Sequence, residues 1–325
     1  MKLGQISVCF KNRLNLDLAA YQTISTNQIL NVTVAATTGY RTRTTNIGKL
    51  TNKGIEATLG YKVLSGRAFT WTLSANYTLN RNNVDEIGAG IKAFNIPGSS
   101  FIGSAPSIVE GRPYGVILGN MRARNPDGKF IVNPQTGLWI AAIPNQEIAN
   151  PNPDAIIGIS NTFGYKGIGL SFLFDSQQGG QIVSFTLASL KGSGALKETA
   201  IDREKPRVID GVFLNADGSY TPNNIQIDAQ NYFNQGLQTD LNVYGATVYR
   251  LRELTLSYQL PKSLLTKLPF GGVSLSFSGR NLFFYAPNSL IDPELNTQGA
   301  GNIRGLELQS SPNTRNFSAN LRLSF

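Results

Sequence analysis

The sequence predicts an all-β fold: an antiparallel transmembrane β-barrel segment of about eleven strands, with long loops on one side. Extended segments alternate apolar and polar residues at period two, which gives each strand two chemically different faces. Connections between the segments alternate tight turns with long polar loops, as in barrels that cross a membrane. No apolar run approaches the roughly 18 residues that a membrane-spanning helix requires.

The first candidate strands, 3–10 and 13–24, flank a short link at Lys11-Asn12. In 53–64, Ile55, Ala57, Leu59, Tyr61 and Val63 alternate with Glu56, Thr58, Gly60 and Lys62. After a link at Leu64–Ala68, segment 68–79 sets Phe69, Trp71, Leu73, Ala75, Tyr77 and Leu79 against Thr70, Thr72, Ser74, Asn76 and Thr78. Segments 100–109 and 112–120, joined at Glu110-Gly111, show the weakest pattern. The pair 155–165 and 168–177 turns at Lys166-Gly167, with Ile168, Leu170, Phe172 and Phe174 in one row. In 247–260, Leu254, Leu256, Tyr258 and Leu260 share a phase that Leu251 breaks. In 271–284, Val273, Leu275 and Phe277 give way past Gly279 to even-numbered Leu282 and Phe284, which suggests a β-bulge at the glycine. The last segment, 314–325, alternates without error, with Phe317, Ala319, Leu321, Leu323 and Phe325 opposite Asn320 and Arg322.

Long polar links fall at 25–52, 80–99, 121–154, 178–246 and 285–313, with a medium one at Pro261–Phe270; their alternation leaves Phe325 on the tight-turn side. A strand of about 11 residues, rising roughly 3.3 Å per residue and tilted ~40°, spans a ~25 Å apolar band. Tyr21, Tyr61, Tyr77, Tyr165 and Phe284 stand near strand ends, where interfacial aromatic girdles form; the competing reading makes them core aromatics of a soluble β-sandwich. Within the longest link, Val183, Thr186, Leu187 and Leu190 recur at helical spacing, so 183–204 is expected to hold a short packed helix.

Composition agrees with two-faced strands. The 325 residues are 41% hydrophobic with a mean hydropathy of −0.12, the near-neutral average of strands that are apolar on one face only. Histidine is absent, which removes histidine-based triads and most histidine-ligated zinc sites. No Ser or Cys constellation supports nucleophilic catalysis either, so the sequence argues against an enzyme. Cys9 is the only cysteine, so no internal disulfide forms. The net charge of +9 is scattered over residues such as Arg41, Lys62, Lys166, Arg250 and Arg280, without a nucleic-acid motif, so no nucleic-acid partner is expected. Asn125-Pro126-Asp127-Gly128 has one carboxylate, too few oxygens for a calcium loop, and reads as a turn. No metal and no cofactor are expected.

Several short motifs stand in a telling order. Phe10-Lys11-Asn12-Arg13-Leu14-Asn15-Leu16-Asp17-Leu18 forms a hairpin pattern, and Thr38-Gly39-Tyr40 precedes Asn52-Lys53-Gly54-Ile55-Glu56. Glu110-Gly111-Arg112-Pro113, Asn125-Pro126-Asp127-Gly128 and Tyr165-Lys166-Gly167 follow. Then come the run Tyr249-Arg250-Leu251-Arg252-Glu253-Leu254-Thr255-Leu256-Ser257-Tyr258, Pro261, and Ser278-Gly279-Arg280-Asn281-Leu282-Phe283. Each is weak alone; their collinear order over nearly the whole chain resembles SusC/RagA-type TonB-dependent outer-membrane transporters.

The resemblance implies a 22-stranded type of barrel, of which residues 1–325 are the C-terminal half. It implies the outer membrane of a Gram-negative, Bacteroidota-like cell and import of oligosaccharides or oligopeptides. The implied partners are a SusD-like surface lipoprotein, the TonB-ExbB-ExbD complex and outer-membrane lipid. The barrel-assembly machinery would read the terminal segment through Phe317, Leu321, Leu323 and Phe325. The plug domain and TonB box that the family carries have no counterpart here, and Met1-Lys2-Leu3-Gly4-Gln5-Ile6 lacks the apolar core of a secretory signal. The expectation is a removed signal or a start inside a longer protein.

Candidate ligand contacts are few. Trp139, in a long link, is suited to stack on a sugar ring or to pack within its loop. Glu56, Lys62, Asp175 and Arg280, with Arg322, face the polar side, either lining a solute path or pairing among themselves. The rival to an importer is a stand-alone structural or adhesive outer-membrane barrel whose loops bind a surface partner.

Overall fold

The computed structural model describes residues 2–9, 13–33, 37, 39–40, 42–46, 48–88, 90–100, 102–234, 239–266, 269–299, 301 and 303–325. The Lys11-Asn12 link, Phe10, Thr38 and Arg41 lie outside the described residues.

Nine strands form one antiparallel sheet in chain order: β1 (Lys2–Cys9), β2 (Leu14–Thr26), β3 (Lys49–Ser65), β4 (Phe69–Glu86), β5 (Ala155–Tyr165), β6 (Ile168–Gln178), β7 (Val248–Gln259), β8 (Gly272–Tyr285) and β9 (Asn316–Ser324). Each pairs with its neighbour in sequence, so the wall is an up-and-down meander. Its tight turns carry the residues such turns demand: at β5–β6, Lys166 and Gly167 both have positive φ, the backbone of a two-residue hairpin. Among the described residues β1 and β9 each have one partner, so the sheet is open.

The expected segments 100–109 and 112–120 do form strands, Ser104–Val109 and Val116–Arg122, but not in the wall. They pair with each other and with Ala93–Asn95 and Ala141–Ala149 in a separate four-stranded sheet. The reason is visible in the residues. Ser104–Val109 is buried along nearly its whole length, and Pro106 removes a ladder donor, so neither period-two exposure nor spanning length is available. The links 80–99 and 121–154 therefore merge into one connection, and β4 itself runs on to Glu86. The alternation of short and long connections survives, because two strands leave the wall together.

Register rows confirm the two faces. One row reads Ala319, Phe277, Leu256, Leu170, Phe163, Trp71, Leu64 across six strands and the end of a seventh. The row beside it, one residue along, reads Ser318, Ser278, Thr255, Ser171, Thr162, Thr72, Lys62. Asn161, a polar residue within the apolar rows, accepts a hydrogen bond from the Trp71 indole at 3.0 Å. That bond removes most of the penalty of an amide beside hydrocarbon. Apolar side chains on this sheet are exposed rather than packed: Phe317 is 75% exposed and Phe325 89%. Among the described residues, β6, β8 and β9 bury no apolar side chain. A soluble sandwich would bury this face, so the exposed rows argue for hydrocarbon as its solvent.

Aromatic placement follows the faces. Tyr61, Tyr77 and Tyr165 lie on the apolar face, as expected. Tyr249 and Tyr285 stack at 6.4 Å near its loop end, and Tyr258 stands near its turn end. Tyr249 and Tyr258 are separated by about 30 Å along the strand, or ~23 Å along the normal at a ~40° tilt, close to the apolar band. Tyr21 and Phe284 are corrections. Tyr21 crosses Gly54 on the polar face and donates to Asn80 Oδ1 at 3.1 Å. A Cβ at position 54 would collide with the Tyr21 ring, which explains the glycine. Phe284 pairs with Arg250, also on the polar side, while Phe283 continues the apolar face opposite Leu251.

The phase breaks have one cause. Ladder register shifts between Leu251 and Glu253 against both β6 and β8, and the residue with positive φ is Asn281 (53°), not Gly279. The bulge thus lies two residues beyond the expected glycine. Gly279 instead makes room for Leu282 and Phe317, which would meet an added Cβ at 2.8 and 3.3 Å.

Candidate functional site

Most of the hydrophobic core lies in a roof built by connections 87–154, 179–247 and 286–315, joined by wall residues such as Val84 near the loop end of β4. Ile117, Ala149, Val183, Phe185 and Leu306 form one cluster, and Val84, Ile87 and Ile108 a second. Each such burial is worth roughly 1.5–3 kcal/mol for a large aliphatic or aromatic side chain. The expected helix appears as α1 (Phe185–Gly192), with Leu187 buried and Ser184 capping the Leu187 N–H at 3.1 Å. Glu307, fully buried, accepts from Ser184 Oγ (2.6 Å), Thr186 Oγ1 (2.5 Å) and the Ser310 N–H (3.0 Å). Three donors beside a helix N-terminus are what a buried carboxylate needs.

The roof folds over the polar face, which identifies that face as the inner one. Segment 286–315 acts as a strap. Asp292 receives two bonds from the Arg250 guanidinium (2.7 and 2.5 Å) and one from Asn313 Nδ2 (2.7 Å), and the ion pair is buried. Glu294 binds Arg252 at 2.6 Å, and Arg252 also holds Asp175. Burial pushes the Asp292 carboxyl up, but hydrogen bonds from Arg250, the Glu294 backbone and Asn313 outweigh it and hold its pKa below the usual carboxylate range. The motifs 249–258 and 278–283 noted in the sequence are therefore opposite sides of one bulged, ion-paired junction: Arg252 lies 3.4 Å from Asn281, and Arg280 pairs with Glu253 at 3.1 Å.

Between the strap, the roof and the upper inner wall lies a cleft of about 510 Å³. Its floor is an amide network. Asn80 Nδ2 donates to Asn52 Oδ1 (3.1 Å), Asn82 Nδ2 to Asn152 Oδ1 (3.3 Å), and Asn152 Nδ2 to the Tyr114 carbonyl (3.0 Å). The Tyr114 N–H donates to Asn82 Oδ1 at 2.5 Å. Burial pushes the Tyr114 hydroxyl above its ordinary pKa, so it keeps its proton at neutral pH. A second cleft of about 290 Å³ adjoins the first, and both are lined by Pro151 and Arg304.

The candidate ligand residues from the sequence are not gathered in one place. Glu56 is half-buried on the inner wall beside Thr78, and Lys62 is exposed near the turns opposite Thr72. Asp175 and Arg280 are ion-paired as described. Trp139 lies in the roof under the Arg122 guanidinium (4.8 Å), beside Phe130 and Tyr232 (both 6.3 Å), and borders a cavity of about 250 Å³. Phe317, Leu321, Leu323 and Phe325 project from the apolar face of β9 and the residue after it, Phe325 against Phe270 at 5.3 Å. The Asn-Pro-Asp-Gly segment is a turn, closed by Gly128 N–H to the Asn125 carbonyl at 2.9 Å. Sequence reading missed the amide floor; its signal was the asparagine-rich stretch Asn80-Arg81-Asn82-Asn83, where the apolar alternation stops but the strand does not.

Comparison with known proteins agrees with this architecture. The family model described as "TonB dependent receptor-like, beta-barrel" matches residues 7–282. The chain is 28% identical to TonB-dependent receptor P3 of Formosa agariphila over 100% of its own length and 34% of the relative's. It is 25% identical to TonB-dependent receptor P39 of the same bacterium over 97% and 34%. It therefore spans about a third of the length of these curated relatives. The structure of the RagAB peptide importer in the closed-closed state shares the fold at a TM-score of 0.70 and 19% identity, covering 100% of this chain and 35% of that one. The RagAB peptide transporter matches at 0.68 and 18%, over 100% and 35%. An up-and-down wall with an outer apolar face, a roofed inner face and a family match over most of its length place this chain in the TonB-dependent receptor-like β-barrel family.

Proposed function

We propose that the chain supplies the C-terminal part of the barrel of an outer-membrane, TonB-dependent importer of large solutes, oligosaccharides or oligopeptides, working with a SusD-like surface lipoprotein. The observation that carries this reading is the pairing of an apolar outer face with a polar inner face roofed by its own loops, so that clefts open toward the lumen. Two open sheet edges cannot stand in hydrocarbon, so further strands complete the wall, which argues against a stand-alone adhesive barrel. In this reading the TonB-ExbB-ExbD complex energises transport through other parts of the receptor, and β9 with Phe325 is presented to the barrel-assembly machinery. Trp139, Glu56 and Lys62 remain solute contacts to be tested.

The test is fractionation and uptake in cells that carry the intact gene. The product is expected in the outer-membrane fraction, and uptake of labelled oligosaccharide or oligopeptide pools is expected to stop on gene deletion or on addition of an uncoupler. Recovery as a soluble protein without detergent, or unchanged uptake after deletion, would contradict the proposal.

A further inference from the structure

We propose that Arg304 anchors a carboxylate of the solute at the junction of the two clefts, so that the favoured solutes are carboxylate-bearing oligomers. This rests on the importer reading above and names the chemistry of its site.

Arg304 is exposed and lines both clefts. Other arginines of the roof and upper wall are engaged: Arg81 by Asp154, Arg112 by Glu147, Arg122 by Asp240, Arg250 by Asp292. Among the described residues no carboxylate or other hydrogen-bonding partner holds Arg304. Glu294, the acidic residue of the second cleft, is taken by Arg252. The first cleft also holds Lys49, which has Glu86 as its cross-strand neighbour and Asp85 close by. Arg304 is thus the charged side chain common to both clefts, and it has no countercharge among the described residues.

Its backbone is also fixed. Gly305 has φ of 81° and presses against Pro151, where an added Cβ would meet the proline Cβ at 2.5 Å. Leu306 and Glu307 follow, 1% and 0% exposed, locked into the roof core and the α1 N-terminus. The backbone that follows is thus anchored beside the clefts, and the guanidinium that it carries offers a carboxylate two parallel N–H donors. The neighbouring amides supply donors and acceptors without charge, suited to the hydroxyl or amide repeat of the rest of an oligomer.

A carboxylate can come from an acidic sugar or from a peptide terminus, and matched probes distinguish them. In the intact receptor purified from outer membranes in detergent, binding is measured for an oligogalacturonate against a neutral oligogalactoside of equal length. It is also measured for an oligopeptide with a free C-terminus against its C-terminal amide. At least one carboxylate probe is expected to bind roughly tenfold to hundredfold tighter than its neutral partner, the scale of one charge-assisted bond. Arg304→Gln is expected to erase that preference, and Arg304→Lys to retain part of it. Arg67→Gln, which removes the same charge from an exposed tight turn, is expected to leave it intact. No preference in either pair, no binding of any probe, a preference that survives Arg304→Gln, or equal loss with Arg67→Gln overturns the anchor. If neutral and charged probes bind alike yet uptake persists in cells, the anchor falls while the importer reading stands.

Discussion

Arginine in place of Leu254 will destabilise the inserted protein by about 2–4 kcal/mol, whereas arginine at the adjacent Thr255 will cost at most about 1 kcal/mol. Leu254 stands on the apolar face between Phe172 and Gly279, about midway between Tyr249 and Tyr258, so its depth is near the centre of the apolar band. A guanidinium there must reach a headgroup or drag water inward. Thr255 faces the lumen between Ser171 and Ser278, and its replacement costs two part-buried hydroxyl contacts, to Ser278 Oγ at 2.9 Å and to Glu253 Oε1 at 3.2 Å. Denaturant midpoints of the receptor refolded in lipid vesicles check the pair. Equal losses at both positions, or the reverse order, would contradict the assignment of faces.

Breaking the strap should be the second large effect. Asp292→Asn leaves the buried Arg250 guanidinium with a neutral amide in place of its close carboxylate and only Glu294, 3.4 Å from its Nε, as countercharge, a loss of about 3 kcal/mol, the lower end for one partner of a buried pair. Limited proteolysis should then cut within 286–315 at protease levels that leave the parent protein whole. The pH dependence has a definite sign. Asp292 has a folded pKa below its unfolded value near ~4, so its contribution is fully present above about pH 4 and is lost as pH falls through the lower folded value. The parent strap should therefore resist an acid-active protease at pH 5 as well as at neutral pH, and loosen only in stronger acid. Loosening between about pH 7 and 5 would show that another group controls the strap.

Much of the wall was legible because period-two alternation reports solvent on each face directly. Ile168–Phe174, Leu254–Tyr258 and Asn316–Ser324 all lie where alternation places them. Alternation fails where side chains meet protein on both faces. Ser104–Val109 and Val116–Arg122 are extended, but they sit in a packed roof, and nothing local distinguishes such a strand from a poorly patterned membrane strand. The bulge was placed at Gly279 because glycine is the usual residue there, yet the positive φ fell on Asn281, whose side chain also meets Arg252. The amide cleft was invisible for a different reason. Asn52, Asn80, Asn82 and Asn152 converge from two strands and a loop, and their convergence depends on register across the sheet rather than on spacing along the chain.

One measurement bears on the central claim most directly. Single cysteines placed from Leu254 to Tyr258 in the Cys9→Ser receptor, inserted in its own membrane, can be labelled with a small fluorophore and challenged with a quencher carried on lipid acyl chains. Positions 254, 256 and 258 should be quenched by lipid, and 255 and 257 should instead respond to a water-soluble quencher. Uniform access to the water-borne quencher, or lipid quenching at 255 and 257, would mean that the sheet does not divide hydrocarbon from water.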